Sequence, residues 1–134
     1  MATFSLKIVC PEGLKFDGQI QQLNVRTTTG DLGIQAKHIN CVAPLGMGRA
    51  TIIMEGSSRH AACIGGMVSV LDGKVTLLPT TFEWADEIDA ERVDRSYARA
   101  QNVLSDKAAT KADVVLAEAR LRRALVRKGV VSLK

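Results

Sequence analysis

His38 and His60, with Cys10, Cys41 and Cys63, are the side chains here best suited to nucleophilic or metal chemistry. Their spacing argues against both. The histidines stand 22 positions apart, and structural or surface roles are the expectation for each. Three cysteines form no even set and contain no C-x-x-C pair. A disulfide framework or zinc ribbon is therefore not expected, whereas reduced, buried thiols are. Cys63 follows His60 by three positions, and on a strand such residues point to opposite faces. No G-x-x-x-x-G-K-[ST], G-x-S-x-G or H-E-x-x-H occurs. Gly46-x-Gly48 is only the start of a dinucleotide fingerprint and lies at no strand-to-helix turn. Nothing reads as an independent active site, so a non-catalytic protein is expected.

Charge is the second source of chemistry, and it is unevenly spread. The chain carries 18 Lys and Arg against 14 Asp and Glu, a net +4. Residues 1–85 hold seven basic and six acidic side chains, whereas residues 111–128 hold six basic and two acidic. The basicity belongs to one segment. A solvated helix face, an acidic protein partner, a nucleotide or a nucleic acid could each account for it. Only five aromatic residues occur among 134, too few for a surface that stacks on bases.

The elements that must hold these residues divide near residue 85. All three prolines and ten of the eleven glycines precede it. Residues 85–128 contain neither breaker and include ten alanines, a helical composition. Before that point short strands alternate with turns. Phe4–Ile8, Ile20–Val25, Arg49–Met54, His60–Ile64, Met67–Leu71 and Val75–Pro79 are the strand candidates. Asp72-Gly73 suits a type I′ hairpin turn, because both central residues need positive φ. Gly56-Ser57-Ser58 marks another tight connection. This grammar predicts an antiparallel sandwich or barrel.

Asp89 is a good N-cap for a first helix, with Val93, Tyr97, Ala100 and Leu104 as its apolar stripe. Residues 105–110 predict a turn, with Thr110 capping a second helix. Val114, Ala117, Leu121 and Leu125 make that helix's stripe, and Gly129 is expected at its C′ position. The resulting α+β chain has an N-terminal antiparallel β-sandwich domain over residues 1–85. A C-terminal two-helix antiparallel hairpin occupies residues 86–134. The alanine-rich stripes are shallow, so the hairpin should detach easily from its support. The longest apolar stretch, Ala61–Leu71, is too short and interrupted to span a bilayer. Lys7 and Cys10 interrupt the N-terminus where a signal peptide would be continuously apolar.

Five motifs in order resemble those of the epsilon-subunit family of F-type ATP synthases (delta in mitochondria). Thr27-Thr28-Thr29-Gly30-Asp31-Leu32-Gly33-Ile34, followed by His38, is similar to T-x-x-G-x-x-G-I-L-x-x-H-A-P. Glu83-Trp84-Ala85-Asp86-Glu87-Ile88-Asp89-Ala90-Glu91-Arg92-Val93 resembles A-E-x-x-x-x-I-D-x-x-R-A. Cys10-Pro11, Gly65–Val70 and Lys74–Leu78 stand where the family has T-P, G-G-F-x-E-V and K-V-T-I-L. The chain departs from the family at Ile39-Asn40, Arg26 and Val93, where Ala-Pro, Pro and Ala are usual.

The resemblance implies a ten-stranded sandwich, and a non-catalytic rotor subunit in the central stalk of a proton-translocating ATP synthase. Its implied partners are the gamma subunit, the c-ring and, through an extended hairpin, the alpha and beta catalytic subunits. It implies coupling of c-ring rotation to the catalytic head, and inhibition of ATP hydrolysis by the hairpin. The implied location is peripheral, on the cytoplasmic side of the cell membrane, with the membrane met only through the complex. No cofactor is required. ATP is the implied regulatory ligand, and Glu83, Asp89, Arg92, Arg99, Arg123 and Arg127 match the family's nucleotide positions. The alternative reading is a freestanding β-sandwich protein that binds nucleic acid through its basic helix.

Overall fold

In the computed structural model, which describes residues 2–133, alternation becomes burial. On strand β1 (Phe4–Cys10), Phe4, Leu6, Ile8 and Cys10 point into the core, with Ser5, Lys7 and Val9 between them on the outer face. Seven further strands follow: β2 (Gly13–Ile20), β3 (Gln22–Thr27), β4 (Gly30–Gln35), β5 (Cys41–Pro44), β6 (Met47–Met54), β7 (Ser57–Leu71) and β8 (Lys74–Trp84). A 3₁₀ turn (Ala85–Glu87), helix α1 (Ala90–Ser105) and helix α2 (Lys111–Val131) complete the chain.

Hydrogen bonds connect the strands in the order β2-β1-β8-β7-β6-β3-β4, with β5 also on β7. The sheet closes on itself, because Leu6, Ile8 and Ile20 from one end share a core with Leu23, Val25 and Ile34 from the other. The long strand β7 turns the corner at Gly65-Gly66, where φ is +69° and +99°. A Cβ at Gly66 would collide with the Leu78 carbonyl oxygen, so only glycine fits. Pro79 lies directly opposite Gly66, at a bend where its missing N–H is tolerated.

The expected sandwich and helical hairpin are both present, with differences of detail. Strands β1 and β8 pair in parallel, while the other described pairings are antiparallel. His60–Ile64 and Met67–Leu71 are halves of one strand, because the glycines bend the chain without ending it. Conversely, Ile20–Val25 is broken at Gln21, whose N–H bonds the Ile53 carbonyl at 2.8 Å. Ser57 and Ser58 belong to β7, and Gly56 alone has the left-handed φ of the turn before it. Among the described residues eight strands appear instead of ten, since β7 and β8 each run through both layers. Asp72 and Gly73, at φ +49° and +80°, form the expected hairpin turn.

Asp89 caps α1, its Oδ1 accepting from the Arg92 N–H at 3.2 Å. Thr110 and Asp113 cap α2 reciprocally at 3.2 and 3.3 Å, with Asp in place of the usual Glu or Gln. Val93 and Ala100 face inward on α1 as expected. On α2 the inward positions are Ala117, Ala124 and Val130. Leu125 is 50% exposed, because the stripe drifts toward Ala124 as α2 settles on the sheet. Gly129 lies inside α2, which continues to Val131, since Val130 gains a buried site by extending the helix.

The hairpin lies folded on the outer face of the β6–β7 layer. Ala62, Ala85, Ile88, Val93, Ala124 and Val130 form a second, smaller apolar cluster there. Residues 61–64 of β7 are consequently buried on both faces.

Two glycine substitutions separate these environments. Gly66→Ala should cost about 2 kcal/mol or more in urea denaturation, from left-handed strain plus backbone collision. Gly129→Ala, with open space at its Cβ, should stabilise the chain by roughly 0.5 kcal/mol through helix propensity.

Candidate functional site

Where the hairpin meets the sandwich, a cleft of about 430 Å³ opens beside the apolar contact. The C-terminal end of β8 supplies Glu83, the capping segment supplies Asp89 and Arg92, and α2 supplies Arg127. These four of the six expected nucleotide positions line one cavity. Arg99 and Arg123 do not line it. Arg99 is seven residues beyond Arg92 and so about 10 Å farther along α1, exposed to solvent. Arg123 is likewise exposed, whereas its neighbour Ala124 faces the cleft.

The cleft's charges are largely committed. Arg127 Nε donates to Glu83 Oε1 at 2.7 Å, joining α2 to the sandwich with both side chains about one-third exposed or less. Asp89 spends one oxygen on its cap. Arg92 makes no ion pair within 4.0 Å among the described residues, and is the cation best placed to meet an incoming anion. Outside the cleft, Lys128 Nζ lies 3.2 Å from Asp94 and 4.6 Å from the Tyr97 ring centre. Two of the basic residues on α2 thus have partners within the chain.

Three further charged groups line the cavity without having been expected: Glu12, Lys15 and Glu87. Lys15 donates to Glu87 Oε2 at 3.3 Å, across a sequence separation that no local pattern reveals. Glu87 had a visible signal, since its Oε1 accepts from the Trp84 N–H at 3.1 Å. That is the three-residue reach of a capping carboxylate. Partial desolvation would lower the Lys15 pKa, but the Glu87 hydrogen bond and neighbouring negative charge outweigh it and raise the value above 10.5. A raised lysine value contributes stability below pH 10.5 that is lost as pH rises through the folded value. The contact therefore holds throughout the neutral range.

None of the cysteines or histidines lines this cleft. Burial pushes the Cys63 thiol up to about 12, leaving it protonated and unreactive at neutral pH. His60 bonds Thr51 Oγ1 at 3.2 Å, and His38 Nδ1 lies 2.8 Å from the Ile39 carbonyl. No described cluster of His, Cys, Asp or Glu could hold a metal ion. No described helix is long and apolar enough to cross a membrane.

A second surface faces away from the hairpin. Ile39, Val42, Met67, Leu71 and Leu78 are 48–77% exposed. Met67 lies directly opposite both Leu78 on β8 and Pro44 on β5. Val42, Met67, Leu71 and Leu78 project from one sheet face, with Ile39 on the connection before β5, an arrangement that suits an interaction surface.

The ATP synthase delta/epsilon chain beta-sandwich domain matches residues 3–85, and the corresponding long alpha-helix domain matches residues 86–130. The chain belongs to the ATP synthase delta/epsilon chain family. The ATP synthase epsilon chain of Ruminococcus albus is 39% identical over 135 residues, covering 100% of both chains. That of Shouchella clausii is 37% identical, covering 100% of this chain and 98% of its own. Among solved structures, a chain of the Euglena gracilis mitochondrial ATP synthase OSCP/F1/c-ring assembly superposes with a TM-score of 0.85. It is 20% identical and covers 100% of this chain and 83% of its own. A chain from the Tetrahymena thermophila mitochondrial ATP synthase central stalk and c-ring gives 0.61 at 18% identity, covering 95% of each. These likenesses concern the fold. Within the family, this chain is an epsilon-type subunit.

The Glu83–Arg127 pair should be measurable by a double-mutant cycle with Glu83→Gln and Arg127→Gln. A coupling of about 0.5–1 kcal/mol, shrinking as salt rises from low to molar concentration, is expected. Asp89→Ala should cost about 1 kcal/mol independently of salt, through loss of the cap.

Proposed function

We propose that this chain is a non-catalytic rotor subunit of the central stalk in a proton-translocating ATP synthase. In this reading it sits on the cytoplasmic side of the cell membrane. The carrying observation is the division of its surface. The sandwich leaves an apolar face uncovered at Val42, Met67, Leu71 and Leu78, which suits permanent attachment to the gamma subunit and the c-ring. The hairpin rests on the opposite layer through small side chains, which suits reversible release toward the alpha and beta subunits. The sandwich would transmit rotation while the released hairpin blocks hydrolysis. Arg127 and Lys128 already pair within the folded chain, so part of the basic helix's charge is engaged without a nucleic acid.

ATP is the regulatory ligand in this proposal. Arg92 on α1 and Arg127 on α2 line one cleft, so an anion drawing on both needs the two helices held together as they are in the folded hairpin. Such a ligand shifts the population toward the folded, non-inhibiting form. It must compete with Glu83 for Arg127. ATP should raise the melting temperature of the isolated chain, and Arg92→Ala should abolish that rise. Equal melting temperatures with and without millimolar ATP would reject ATP as the ligand.

Deleting the residues after Ala85 should leave the complex assembled and increase its ATP hydrolysis. Unchanged hydrolysis with intact subunit composition would reject the inhibitory role.

A further inference from the structure

We propose that a second cleft, on the flank of α2 opposite the one described above, binds an amphipathic carboxylate: an aliphatic tail ending in a single carboxylate head. This goes beyond the regulatory reading, since the two clefts share no lining residue.

The helix itself divides them. Ala124 and Arg127 face the first cleft, whereas Leu125, Val126 and Gly129 line the second. At 3.6 residues per turn those two sets point about 180° apart on α2. The other wall of the second cleft is the outer face of β6, β3 and β4. Strand register places Arg49 beside Ala62, the alanine under the hairpin, and Thr51 beside Asn24. Arg26 and Asp31, cross-strand partners joined at 3.2 Å, complete the polar side. The space enclosed is about 640 Å³, within the roughly 300–1,000 Å³ of small-ligand sites.

Glycines keep this space open. Gly33 and Gly48 on the sheet and Gly129 on α2 line it without side chains. A Cβ at Gly48 would collide with the Arg26 stem, so that arginine lies across the neighbouring strand. Gly129 has open space where a Cβ would stand, at a helix-interior position that other residues would suit better.

The cleft sets an unmatched cation beside unmatched apolar surface. Arg49 is exposed and makes no ion pair within 4.0 Å among the described residues. A guanidinium receives a planar carboxylate through two parallel N–H bonds. Asn24, whose Oδ1 accepts from Gln22 Nε2 at 2.9 Å, keeps its amide N–H donors for the same head. Asp31 holds Arg26 and repels a second negative charge, so a monoanion fits better than a phosphate dianion. Leu125, half exposed although aliphatic, stands with Met47 and Val126 along the cleft. A tail laid on them would remove their surface from water.

Amide NMR spectra of the full chain test this, with decanoate below its micelle concentration as the probe. Decanoate should shift the Gly33, Gly48 and Gly129 amide signals saturably. Acetate, the head alone, and decanol, the tail alone, should each bind at least about tenfold more weakly. Arg49→Gln should cut decanoate affinity about tenfold while leaving decanol binding unchanged. Gly129→Leu fills the cleft from a position with room for it, so it should abolish the Gly33 and Gly48 shifts without lowering the melting temperature. Decanol binding as tightly as decanoate would overturn the proposal. So would undiminished decanoate affinity in Arg49→Gln or in a folded Gly129→Leu chain, or shifts confined to residues outside the cleft. No nucleotide is present, so this site and the ATP reading can fail separately.

Discussion

The contact between hairpin and sandwich is lined by small and medium-sized apolar side chains, and the proposed function depends on how lightly such a seam holds. Ala62, Ala85 and Ala124 allow the backbones to approach closely, and only Ile88, Val93 and Val130 add larger apolar bulk. Hydrophobic stabilisation scales with the area removed from water, at about 25 cal/mol per Å². An alanine-lined seam therefore contributes little per residue. In such a balance the Glu83–Arg127 pair, modest by itself, weighs heavily on the hairpin's position. Elements that move are drawn from the low-stability end of a structure, which the proposed release of this hairpin requires.

The sandwich is built on the opposite principle. Leu6, Ile8, Ile20, Leu23, Ile34, Ile52, Leu77 and Phe82 are completely or almost completely buried in one continuous core. Its layers share strands around the Gly65-Gly66 corner, so they cannot slide apart without breaking ladders. A rigid body of this kind can carry a fixed docking face on one side and a releasable arm on the other. The 3₁₀ turn is shared, tied to the sandwich through Glu87 and packed in the hairpin seam through Ala85. Among the described residues, the Cys63 thiol is buried and the histidines are dispersed.

Local physics explains how much of this was legible in the residues. Asp72-Gly73, Asp89 and Thr110 act through backbone preferences within a few positions, and each does what its type predicts. The breaker-free stretch after residue 85 became helix for the same reason. Tertiary contacts produced the differences. Gly129 is a good helix terminator, yet burying Val130 carried α2 past it. Leu125 fitted the periodic stripe better than Ala124, but a leucine could not approach the sheet as closely. In the cleft, the motif order pointed to Glu83, Asp89, Arg92 and Arg127, which come together. Helix rotation carried Arg123 outward and helix rise carried Arg99 away. Lys15 could not be foreseen, because its partner lies across the fold.

In the proposed function, the exposed apolar face attaches this chain to a rotor. The most direct measurement is affinity purification of the tagged full-length chain from its own cells, with a Met67→Asp counterpart. Met67 is 49% exposed and points away from the core, so the substitution should leave the fold, judged by circular dichroism, intact. The unaltered chain should bring down gamma, the c-ring, alpha and beta. Met67→Asp should retain them at least about tenfold less well, as expected for a charge buried in an apolar interface. An unaltered chain that purifies alone, or a Met67→Asp chain that keeps every subunit, would contradict it.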